Sequence, residues 1–95
     1  MKQDTRHIAI AMTRSIAQII EGATDQQVDF YKLLWNVHWA IDYYGVDKTR
    51  STLIEIVLDA DFKADELATR LRDTLFQEQM KEDTLGDWFT HAMKD

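Results

Sequence analysis

Ninety-five residues with 45% apolar and 29% charged side chains describe one globular domain, residues 1–95, with a modest core rather than a disordered chain. Proline is absent and only three glycines occur, so turn formers are too few for an all-β chain and the composition predicts an all-α fold. A formal charge of −6 without a basic stripe argues against nucleic acid and anionic membrane as partners, and the lack of cysteine excludes disulfides, thiolate metal sites and cysteine nucleophiles.

A first helix is expected from about Asp4 to Glu21, with Asp4 as its cap and Gly22 closing it. Ile8, Met12, Ile16, Ile19 and Ile20 recur there at helical spacing. The opening MKQDTRHIAIAMTR lacks the apolar run and cleavage site of a secretory signal, and no stretch is long enough to span a bilayer. The expected location is therefore cytoplasmic. Thr24 and Gln27 form a T-x-x-Q capping pattern before a second helix.

That second helix, VDFYKLLWNVHWAIDYY at 28–44, is apolar on two faces. Phe30, Leu33, Leu34, Val37, Ala40, Ile41 and Tyr44 fall on one side; Val28, Tyr31, Trp35 and Trp39 fall on another, with His38 and Asp42 among them. A small domain has little chain to cover both, so the second face calls for another helix, another subunit or a ligand. Gly45 ends the helix and a short loop, GVDKTR, follows.

Asp47, or Thr52 with Glu55 as a T-x-x-E box, starts a third helix expected to reach about Lys81. Its seam is Leu53, Val57, Ala60, Ala64, Leu67, Leu71 and Leu75, spaced by threes and fours. Its wet face carries the pairs Asp59–Lys63 and Glu66–Arg70. Glu82, Asp83 and Thr84 mark a break, with Thr84 and Asp87 opening a short last helix whose apolar face is Leu85, Trp88, Phe89, Ala92 and Met93. Such a helix is too short to stand alone and must dock.

For chemistry, the sharpest candidate is His38 with Asp42, one turn apart, facing Asp61 and Asp65 from the third helix. One imidazole and three carboxylates are ligands for a divalent metal in a bundle core. The simpler reading is that His38 and Asp42 satisfy each other or hydrogen-bond Tyr31 or a tryptophan indole, while Asp61 and Asp65 pair with Arg72 or edge the surface. NVHW at 36–39 resembles the His-Trp word of the ferritin-like mini-ferritins. That family carries further ligands downstream, where this chain has Arg50, Ile54 and Leu58, so no ligand is carried over. Glu55 and Asp59 likewise depart from the E-x-x-E and E-x-x-D words of the all-α nucleotide pyrophosphohydrolases. Phosphate-cradling glycine motifs are absent, and His7 and His91 sit near the termini, away from His38.

The sequence thus predicts a compact four-helix bundle with two long and two shorter helices, expected to be a homodimer. The expected function is a non-enzymatic module, an adaptor, inhibitor or immunity-like antagonist, that needs no cofactor. It would bind a protein partner through Tyr31, Trp35, His38, Trp39 and Asp42. The alternative is a metal-binding bundle or metal-dependent enzyme centred on His38, Asp42, Asp61 and Asp65.

Overall fold

Apolar residues at three- and four-residue spacing wind the chain into helices that bury one stripe each. The computed structural model describes the backbone of residues 4–93 and the side chains of residues 4–81. Its helices are α1 (Arg6–Ala23), α2 (Phe30–Tyr44), α3 (Val46–Val57) and α4 (Leu67–Met93), and a 3-10 turn, Ala64–Glu66, leads into α4. No strand occurs among the described residues. Helix α2 is central: α1 packs along it, and α3 and α4 pack on it and on each other, while α1 meets α3 only along an edge.

The core joins Ala9, Met12 and Ile20 of α1 to Leu33, Val37, Ala40 and Ile41 of α2, with Leu53 and Ile56 of α3 and Leu67, Leu71 and Leu75 of α4. Three threonines are buried with them. Thr13, Thr49 and Thr52 each donate a hydroxyl to the carbonyl four residues back, on Ala9, Gly45 and Lys48. That satisfies the hydroxyl inside its own helix, so a polar side chain enters the core without a tertiary partner.

Both ends of α1 differ from expectation in detail. The N-cap is Thr5 rather than Asp4 and makes no side-chain capping bond; the Asp4 carboxylate, one residue earlier, accepts from the Arg6 N–H and pairs with the Arg6 guanidinium. Gly22 lies inside the helix, which ends one turn's fraction later at Thr24, whose N–H bonds to the Ile20 carbonyl. The Thr24–Gln27 box does not form; Asp29 caps α2 by accepting from the Lys32 N–H. The expected GVDKTR loop is reduced to one residue. Gly45 ends α2 and begins α3 with φ 91° and ψ 166°, a region open essentially to glycine alone.

The expected long third helix is two helices. Its chain breaks at Leu58–Lys63, where Asp59 Oδ1 accepts from the Asp61 N–H and Oδ2 accepts from Arg70 at 2.7 Å. The expected Asp59–Lys63 and Glu66–Arg70 pairs give way to this one contact across the turn, and Ala60 leaves the seam for solvent. Gln26 Oε1, from the α1–α2 loop, accepts from the Ala64 N–H at 2.6 Å and ties the two loops together. The break foreseen at Glu82–Thr84 is absent, because α4 runs on to Met93. The side chains expected to form the last apolar face, and His91, lie outside the described ones.

Two substitutions test the backbone account. Gly45→Ala is expected to lower unfolding free energy by about 1–3 kcal/mol, through strain rather than collision, since a Cβ there meets nothing within 4 Å. Gly22→Ala, in an ordinary helical position, is expected to raise it by about 0.5–1 kcal/mol; urea titration reads both. The Asp59 carboxyl is held below its ordinary 3.8, first by the Asp61 N–H and then by Arg70. A folded-state pKa lowered in this way stabilises the fold above the unfolded value and ceases to do so as pH falls through the folded one. Asp59→Asn is therefore expected to melt below wild type at neutral pH, with the gap closing under acid conditions below 3.8.

Candidate functional site

Tyr31, Trp35, His38 and Asp42 recur at spacings of four, three and four along α2 and so share one stripe of the helix. The stripe lies away from the buried Leu33, Val37, Ala40 and Ile41. Its upper half is open: Tyr31 is 74% and Trp35 73% exposed. Tyr31 also stands edge-on to Phe30, with ring centroids 5.7 Å apart. Trp35 and His38 border a small apolar pocket of about 170 Å³ whose other walls are Arg6, Ala9 and Ile10 of α1 and Leu34 of α2.

The lower half is tied down. Asp42 Oδ1 accepts from the Thr5 hydroxyl at 2.6 Å, which pins the start of α1 to the end of α2. The same carboxylate lies 3.5 Å from His38 Nε2, a contact that becomes an ion pair when the imidazole is protonated. Trp39 is half-buried. The Arg72 guanidinium from α4 stacks 4.9 Å from its ring centroid, and the rings of Tyr43 and Tyr44 lie 5.6 Å away. Trp39 therefore works as packing between α2 and α4. On this stripe the open aromatic side chains are Tyr31 and Trp35; Tyr43 and Phe76 are exposed elsewhere on the surface.

Of the four residues expected as metal ligands, the fold brings together His38 and Asp42. Asp61 sits in the α3–α4 turn and Asp65 in the 3-10 turn, both exposed. No group of three or more His, Asp or Glu side chains that could hold a metal ion occurs among the described residues. Arg6 and Ile10 were not foreseen at this surface, and Arg72, expected as a partner of Asp61 and Asp65, lies over the Trp39 ring. They arrive from α1 and α4, and only the helix registers place them here.

No protein-family model, curated protein or solved structure matches the chain. The functional argument therefore rests on the surface itself.

Trp35 and Leu33 are two positions apart on the same helix and should behave oppositely. Trp35→Ala is expected to change stability by no more than about 0.5 kcal/mol, as for a surface position. Leu33→Ala, at a side chain only 1% exposed, is expected to cost about 2–5 kcal/mol. Parallel urea titrations of the two variants decide the point.

Proposed function

We propose that this chain is a homodimeric, non-enzymatic protein-interaction module, an adaptor, inhibitor or immunity-like antagonist, that engages its protein partner with the Tyr31–Trp35 ridge of α2. The observation that carries this reading is two large aromatic side chains, one turn apart and each about three-quarters exposed, of which Trp35 borders an apolar pocket. Single exposed apolar residues are ordinary; two aromatics one turn apart on one helix stripe, one of them at the edge of an apolar pocket, are the kind of feature that marks an interaction surface. Tyr and Trp dominate interface hot spots because they bring large contact area with few rotatable bonds. Their position on a helix rather than a loop lowers the ordering cost of binding.

His38 and Asp42 continue the stripe as its polar end, and Trp39 beside it is held by Arg72 of α4. The charge of −6 favours approach of a basic partner. Among the described residues no helix is long and apolar enough to cross a membrane, and the partner envisaged is a protein rather than a lipid surface.

The test is affinity capture from native extract, followed by titration of the captured protein against wild type and Trp35→Ala. A hot-spot residue loses about 2 kcal/mol or more on truncation, so Kd is expected to rise about thirty-fold. An unchanged Kd, with the variant folded, would refute the reading.

A further inference from the structure

A second apolar surface lies on the opposite side of α1. Ile8, Met12, Ser15 and Ile19 recur at spacings of four, three and four, the seam against which a further helix packs in a coiled coil. Together with Ile54 of α3 they form an open groove of about 580 Å³. Ile19 and Ile54 remain exposed within it. At its rim stand His7 and Arg50, the latter 3.8 Å from the Asp47 carboxylate.

The architecture supplies an occupant of matching length and pattern. Tyr44 donates to Gln79 and Lys48 pairs with Glu78, each at 2.6 Å, so residues 78 and 79 of α4 lie level with the joint between α2 and α3. The Thr5–Asp42 contact places the start of α1 close to the same level. Helix α4 nonetheless continues to Met93. At about 1.5 Å per residue, the stretch from Glu82 onward carries it about 18 Å past the ends of the other three helices. The groove from Ile8 to Ile19 is about 17 Å long by the same rise. In sequence, that terminal stretch has Leu85, Trp88, Phe89, Ala92 and Met93 at helical spacing, with Asp83 and Asp87 on the opposite side of the helical period. An apolar stripe of that length, with its charges turned to the far side, suits an apolar groove. A continuous helix that runs outward from the bundle cannot fold back onto its own α1.

We propose that the terminal turns of α4 dock in the α1–α3 groove of a second copy, and reciprocally, so that the dimer forms by exchange of helix ends. This inference rests on the homodimeric reading above and gives the dimer a face separate from the Tyr31–Trp35 ridge, which stays free for the protein partner.

Light scattering on a sizing column, over a concentration series of the full chain, tests it with three variants. Wild type is expected at twice 11.2 kDa. Ile54→Glu spoils the groove and Trp88→Ala spoils the helix end; each is expected to elute as a monomer with unchanged helical circular dichroism. An equimolar mixture of the two is expected to recover dimer, because one intact end then meets one intact groove. Trp35→Ala is expected to remain dimeric, and partner capture should fail in that variant alone, which separates this proposal from the ridge reading. A wild type that is monomeric throughout would overturn it, whether the helix end docks in its own chain or the groove serves a foreign helix. So would a dimer indifferent to Ile54→Glu and Trp88→Ala, or a mixture that stays monomeric.

Discussion

Leu33, Val37, Ala40 and Ile41 form one stripe of α2 that α1, α3 and α4 cover together, and the arrangement of the whole chain follows from keeping that stripe dry. Full burial of an aliphatic side chain of this size stabilises by about 1.5–3 kcal/mol. With all three neighbours committed to the inner stripe, α4 and α1 reach the outer face only at its lower half, through Arg72 on Trp39 and Thr5 on Asp42. Tyr31 and Trp35 are consequently in water, and the chain's most apolar helix becomes both the centre of its core and its most prominent surface.

Two short backbone devices make that commitment possible. Gly45 joins α2 to α3 without a loop, so α3 turns immediately back onto α2 and α4. The Leu58–Lys63 turn, organised by Asp59 and linked to the α1–α2 loop through Gln26, brings α4 alongside. Thr49 and Thr52 keep α3 compatible with burial by satisfying their hydroxyls on their own helix. Sequence features that read as loop and cap chemistry are thus spent inside helices.

The helical class, the extent of α2 and the identity of its inner stripe are legible in the sequence because periodicity reports which residues share a face. The break after Val57 is not, since Asp59, Ala60 and Asp61 suit a helix surface and a turn equally. The contact that decides between them, Asp59 with Arg70, spans the turn and is visible only in three dimensions. The Thr52–Glu55 box misleads for a related reason: Thr52 follows six helical residues and donates backward to Lys48 rather than capping. At the candidate site, the stripe of Tyr31, Trp35, His38 and Asp42 follows from spacing. What spacing does not reveal is that Arg72 covers Trp39, that Thr5 holds Asp42, or that Asp61 and Asp65 fall in the turns leading to α4. Those depend on how helices are set against one another, which a pattern along one helix does not encode.

The central claim is that α2 is buried on its inner stripe and open at Trp35. Its most direct measurement is acrylamide quenching of Trp35 fluorescence in a chain where Trp39 and Trp88 are replaced by Phe. The account predicts quenching close to that of a free tryptophan analogue, at dilutions where the chain is monomeric and at concentrations where it self-associates. A shielded indole under either condition would mean that the outer stripe is covered, and the account of this helix as both core and contact surface would be wrong.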